Sequence, residues 1–342
     1  MKIINTKEEW ENILKNFENT DIFFTYDFLE INTIIEPGRV EAIYYEDESL
    51  RFFYPYIRRP FNNLPYVPDK YRDYSDITSP YGACGPLFKG DVRKIFKKLR
   101  DYFTDTKTVS EFVRFHPLIE NHIPLSDYYD LLVISPLVYM DFSEFNDTES
   151  IFKSFNENVR RNIRFAEKNN FEFLISNKIE DIKIFYDVYI NTLKVKQGER
   201  RHFFPFEFFK EISTKDFSSF YFIFKDKNIL SSGLFLKYNI FSHYFLGGLS
   251  EEGYKTKGST HFLFWCFIKE NFKKFRYFSL GGGRGKPDSL LDFKRGFSKK
   301  EKDYIISKKI YFHDIYKELT FEFIKYKDIK DMPTLFPQYR DI

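Results

Sequence analysis

The spacing of apolar residues along the chain predicts helices and strands in a fixed order. In TKEEWENILKNF (6–17), Trp10, Ile13, Leu14 and Phe17 recur at helical intervals behind Thr6, a candidate N-cap. VEAIYYEDESLRFFYPYIRRP (40–60) reads as two strands joined at Asp47-Glu48-Ser49, a hairpin. A loop punctuated by Pro and Gly, SPYGACGPLF (79–88), leads to a helix, DVRKIFKKLRDYF (91–103), and to two strands, VSEFVRFHPL (109–118) and LLVISPLVYMDF (131–142).

The second half repeats that order. One long helix is predicted over 148–168 and another over 180–197. A three-stranded meander follows over 219–248, with turns at Asp226-Lys227-Asn228 and near Asn239. A helix at 259–275, the strand RYFSL (276–280) and a glycine-rich turn come next. Two similar α+β halves are therefore expected, with mixed, mainly antiparallel sheets flanked by helices. The expected boundaries are 1–145, 146–312 and a tail, 313–342, that packs back on one half or the other.

Composition changes this picture little. The 342 residues suit about two domains, and 53 basic against 50 acidic residues leave a net charge of +3, so any anion-binding role must be local. Phe (44) and Tyr (25) are abundant while Ala stands only at positions 42, 83 and 166, the imprint of an AT-rich genome rather than a sign of base stacking. Cys84 and Cys266 make no disulfide framework, and six scattered histidines without HxxxH spacing predict no metal site. The charged N-terminus MKIINTKEEWENILKNF predicts no signal peptide, and no apolar run reaches bilayer length; a cytoplasmic protein is expected.

Two stretches carry candidate chemistry. In the 148–168 helix, Ile151, Phe155, Val159 and Ile163 mark a core face. Arg160, Arg164 and Lys168 form a ridge on the other side, with Arg161 beside it. Like charges at that spacing repel, so a phosphate lying along the ridge would supply the missing anion; the alternative is a solvated face partly neutralised by Glu157 and Glu167. In SLGGGRGKPDSLLDFKRGFSKK (279–300), Gly281-Gly282-Gly283 after a strand suggest a nest of backbone N–H groups for an oxyanion. A short helix capped by Asp288 or Ser289 then places Lys294 and Arg295 at its C-terminal end, where the helix dipole also favours them. The pattern fits neither nucleotide-binding glycine signature, so nucleoside-triphosphate hydrolysis and nicotinamide binding are not indicated.

Taken in order, SPYGACGPLF, VRFHPL, SFNENVRRNIRFAEKNNFEF and LGGGRGKPDSLLDFKRGFS resemble the Fem family of peptidoglycan-bridge aminoacyltransferases and its GNAT-like acyltransferase relatives, over roughly residues 79–298. The resemblance implies two GNAT-like domains sharing a cleft and transfer of an acyl or aminoacyl group to an amine. It puts the family's lysine, near the transferring acyl group, on Lys294. Acceptor-phosphate ligands fall on Arg160, Arg161 and Arg164, and the tyrosine of the first loop motif on Tyr81. Arg284 and Arg295 are further candidate substrate contacts, with Gly282 and Gly283 as oxyanion donors. The long coiled-coil arm of some Fem enzymes is absent.

The acyl donor, acyl-CoA or aminoacyl-tRNA, enters as a co-substrate, with no permanently bound cofactor. The nearest match to a diphosphate loop is KTKGST (255–260), with Lys255, Gly258, Ser259 and Thr260 opening a helix; an ordinary N-cap by Ser259 or Thr260 is the alternative. The expected acceptor is a phosphorylated, nucleotide-linked or lipid-linked glycan precursor. No general base stands out: Asp288 reads as a cap, and His116, His243 and His261 as structural. Cys84 reads as a small buried residue without a partner to activate it. Two other classes remain open, a catalytically silent protein that binds a phosphorylated ligand and a nucleic-acid-binding module.

Overall fold

The computed structural model describes residues 1–283 and 289–340, and it divides into two compact units, Met1–Ile134 with Tyr304–Ile342, and Ser135–Asp303. The first unit contains β1 (Lys2–Ile4), α1 (Lys7–Leu14), α2 (Tyr26–Asn32), β2 (Arg39–Glu46), β3 (Leu50–Pro60), β4 (Ser75–Thr78), β5 (Leu87–Gly90), α3 (Phe96–Asp105) and β6 (Thr108–Arg114). Strand β7 (Leu131–Asp141) leads on into the second unit, which contains α4 (Thr148–Ser154), α5 (Glu157–Lys168), β8 (Glu172–Ile175), α6 (Ile179–Val195) and α7 (Phe206–Ser213). The meander β9 (Ser218–Lys225), β10 (Asn228–Tyr238) and β11 (Phe241–Leu249) follows, then α8 (Glu251–Lys255), α9 (Ser259–Asn271), β12 (Tyr277–Gly282) and α10 (Ser289–Arg295). The chain returns to the first unit through β13 (Lys300–Ile310) and α11 (His313–Lys327). The fold class is α+β, as expected.

In the first unit the strands run β1-β2-β3-β4-β6-β13, with β5 on the first residues of β3; only β4 and β6 are parallel. The hairpin turn between β2 and β3 is held by Asp47, whose Oδ1 accepts from the Ser49 and Leu50 N–H groups at 2.8 and 2.9 Å. The tail packs on this unit: Tyr316, Leu319, Phe323 and Tyr339 close a core with Phe61, Val67 and Val109. The sequence pattern leaves open which half that tail joins, because only contacts distant in sequence decide it.

In the second unit the order is β7-β12-β11-β10-β9-β8. The meander turns fall where expected, with Asp226, Lys227 and Asn239 at φ 49, 68 and 47°, a left-handed conformation that Asn and Asp tolerate well. The single helix expected over 148–168 is instead two. Phe155 is extended (ψ 153°), and Asn156 restarts the helix by accepting from Val159 N–H at 2.8 Å. The apolar repeat survives the break because Ile151, Phe155, Val159 and Ile163 are all buried in one core with Phe264, Phe267 and Phe278.

Candidate active site

The site candidates of the second unit gather where two parallel strands part. β11 and β12 pair only from Phe241–Tyr277 to His243–Ser279. Beyond that point β11 stays on β10 as far as Leu249, while β12 bulges between Ser279 and Gly281 and follows β7 to Gly282. The burial of β11 changes at the same place: Phe241, Ser242 and His243 are buried, and every residue from Tyr244 to Leu249 is partly accessible. A fork of this kind leaves backbone groups on both inner edges without a neighbouring strand.

Gly281 and Gly282 belong to β12, opposite Val138 and Leu137 of β7, rather than to a turn after it. Gly281 has positive φ (85°), a left-handed conformation that glycine adopts without strain. Its lack of a side chain has a different use: a Cβ there would stand 3.0 Å from the Lys294 Nζ. Lys294 is carried by α10, is only 5 % exposed, and donates to the Gly282 carbonyl at 2.8 Å.

Helix α10 is tied to the basic helix at the residue that follows it. The Asn156 N–H donates to the Gly296 carbonyl at 2.9 Å, and a Cβ on Gly296 would come within 2.8 Å of Val159 Cγ2. Phe297 sits 5.1 Å from Phe155 and 5.2 Å from Phe264 of α9, ring centre to ring centre, and Phe293 sits 5.6 Å from Phe264. At the other end of the contact between α5 and α9, Gly258 approaches the Asn162 carbonyl, to which a Cβ would come within 2.6 Å. Thus the start of α5, the lysine of α10, the strand end at 281–282 and the turn at 255–260 are parts of one packed unit.

Individual placements refine the expectations. Arg160 donates to the Lys153 carbonyl at 3.0 Å and to the Phe155 carbonyl, so it caps the end of α4. Arg164 lies 5.3 Å over the Phe152 ring, and Arg161 donates to Asn158 Oδ1 at 3.0 Å. Among the described residues none of these three guanidinium groups has a carboxylate partner, whereas Arg295 is held by Glu301 at 2.5 Å and lies 3.7 Å from Asp292. Helix α9 is preceded by Gly258 at φ 86° with no side-chain cap, and Ser259 is turned inward, donating to the Gly253 and Thr256 carbonyls. Lys255 is exposed in the last turn of α8, and Thr260 is half-buried. Tyr81 lies in the first unit, its N–H bonded to Asn32 Oδ1 at 2.9 Å. Gly283 is half-buried beyond the end of β12. Arg284 and Asp288 lie outside the described residues.

Burial sets the protonation of the neighbours. His261, on α9 with its ring 4.8 Å from Phe293, is lowered to about 4 by desolvation and is neutral near pH 7. The Tyr244 phenol is raised by the same cause, and the Cys266 thiol is pushed up to about 12. Cys84, in the first unit, is fully buried and likewise raised, which fits an inert residue. Tyr244 escapes a reading by pattern. FSHYFLGGLS looks like the last strand of a meander, and its Gly247-Gly248 pair is the one local sign of a special backbone there.

No protein-family model matches the chain, and no curated protein is significantly similar to it in sequence. Solved structures are similar in fold across both units. FemX matches with a TM-score of 0.69 and 12% identity, over 93% of this chain and 99% of its own. L-PGS from Bacillus licheniformis matches with 0.55 and 11%, over 89% and 91%. The C-terminal domain assigned to a lysylphosphatidylglycerol synthetase of Agrobacterium fabrum matches with 0.52 and 13%, over 88% and 90%. The chain therefore has the Fem-like fold that its motifs suggest.

Proposed function

We propose that this protein is an N-acyltransferase that moves an acyl or aminoacyl group from acyl-CoA or aminoacyl-tRNA to an amine of a cell-envelope precursor, a peptidoglycan or surface-polysaccharide amino-sugar. The observation that carries this reading is the buried Lys294 ammonium, set on the Gly282 carbonyl where β11 and β12 part. The acceptor amine attacks the acyl carbonyl, a C–N bond forms, and the carbonyl oxygen becomes an oxyanion. Collapse breaks the C–O bond of an aminoacyl ester or the C–S bond of a thioester, and the amine proton leaves to solvent or to substrate phosphate. A fixed cation beside the developing oxyanion needs no reorganisation during the reaction, the largest source of stabilisation in acyl transfer.

Arg161 and Arg164, without carboxylates of their own among the described residues, suit the acceptor's phosphate. The uncapped start of α9, with Lys255 nearby in sequence, suits a donor phosphate. Likeness to FemX and to proteins named for lysylphosphatidylglycerol synthesis supports an envelope acceptor.

The test is transfer itself. Purified protein is incubated with CoA thioesters or charged tRNAs and with UDP-linked amino-sugars or lipid-linked precursors, and products are read by mass. Lys294→Met is expected to lower turnover about 10²–10³-fold while substrate binding persists. No transfer from any donor by the unmutated protein would favour the silent phosphoryl-ligand binder. Steeply salt-dependent binding to generic RNA or DNA would favour the nucleic-acid module.

A further inference from the structure

Tyr244 is the first residue of β11 past the fork. Its carbonyl lies 3.9 Å from the Cβ position of Gly281, the position that Lys294 Nζ approaches to 3.0 Å. Its ring leaves this point along the sheet, 4.7 Å from Phe264 and 5.5 Å from Phe235, centre to centre. Its hydroxyl reaches Gly247, where a Cβ would lie 2.5 Å from the Tyr244 oxygen and 2.5 Å from the Ser232 carbonyl. The glycine is thus the space that the phenol occupies.

The hydroxyl makes no hydrogen bond with any described residue, although its ring is packed among aromatic side chains. A phenol could be replaced there by phenylalanine at no loss of packing. Tyr244 is only partly buried, so a ligand entering the fork can reach its hydroxyl. Burial also keeps it protonated, so it can both donate and accept.

Resting on the transferase reading above, we infer that Tyr244 determines donor specificity: its phenol hydrogen-bonds a polar substituent next to the carbonyl of the transferred acyl group. An acyl chain whose carbonyl lies by Lys294 and which enters between the strands runs along the tyrosine toward its hydroxyl. Acyl groups bearing an α-amino or α-hydroxyl group are then preferred over plain alkanoyl groups. A site built around such a bond disfavours the analogue that lacks it.

The test uses stable amides of glycyl, glycolyl and acetyl groups on two carriers, 3′-amino-3′-deoxyadenosine and aminopantetheine, with affinity for the full chain measured by calorimetry. On whichever carrier binds, the glycyl and glycolyl probes should bind roughly five- to ten-fold more tightly than acetyl. The two arms tell an amine from a hydroxyl. Tyr244→Phe, which keeps the ring, should erase the difference and leave acetyl affinity unchanged. Gly247→Ala, which crowds the hydroxyl, should erase it too. Equal binding of all three probes, a preference that survives Tyr244→Phe, or no binding on either carrier would overturn the inference. Tyr244-dependent ranking without any transfer would instead sink the reaction and spare the contact, and transfer without such ranking would do the reverse.

Discussion

The buried arginines of the first unit and the α5 arginines of the second are held in different ways. In the first, guanidinium groups are locked to carboxylates. Arg58 meets Glu41 at 2.7 Å, and Arg59 meets Asp76 at 2.7 Å and also Glu36. Arg340 of the tail meets the other oxygen of Asp76 at 2.6 Å. Buried Glu111 accepts from three phenols, Tyr54, Tyr129 and Tyr311, at 2.5, 2.7 and 2.5 Å. In the second unit the α5 arginines rest on carbonyls, an amide and a ring. Charge that has been neutralised holds a structure together. Charge held in place by neutral groups keeps its field for something else.

The sharpest way to break this contrast is to remove one ion from each set. Arg59→Met should destabilise the first unit by about 3–5 kcal/mol, because it leaves Glu36 buried without its cation and Asp76 with Arg340 alone. The two tryptophans separate the units, Trp10 reporting on the first and Trp265 on the second, so urea unfolding followed by fluorescence in single-tryptophan variants reads each alone. A shift confined to Trp10 is the expected result.

An intermediate effect should come from His261. Its folded pKa, about 4, lies below the unfolded value, so on acidification the unfolded chain takes up the proton first. The contribution is fully present above about pH 6.5 and is lost as pH falls toward 4, roughly 3 kcal/mol. His261→Gln should flatten that slope in the Trp265 signal; an unchanged slope would refute the assignment. The smallest effect belongs to the arginines. Arg161→Gln and Arg164→Gln should each move stability by less than about 0.5 kcal/mol, since neither breaks an ion pair. A loss as large as that of Arg59→Met would place them in the structural class and remove them from the candidate site.

What the sequence pattern revealed was chiefly local. Alternation and turn residues found the hairpin at Asp47 and the meander turns at Asp226 and Asn239, because backbone conformation there depends on the residues themselves. The short helix bearing Lys294 was also readable, since Leu291 and Lys294 turn inward together on one face. The break at Phe155 escaped because its apolar period continues through an extended residue, and only the Asn156 cap betrays it. The fork escaped for a stronger reason. Parallel pairing of 241–243 with 277–279 joins strands separated by two helices, and nothing in either strand states where the pairing will stop. The membership of β13 and α11 in the first unit was hidden for the same reason. Among the described residues no helix is long and apolar enough to cross a membrane, which agrees with the hydropathy of the chain.

The divided first unit has a consequence for synthesis on the ribosome. Its sheet needs β13, and its Asp76 needs Arg340, yet all of Ser135–Asp303 is made before either emerges. The half that bears the lysine can settle while its predecessor still waits, open, for a closing segment. A chain interrupted between residues 304 and 340 would therefore leave the nascent hazard in the older half, with its buried carboxylates and aromatic core exposed to chaperones and proteases.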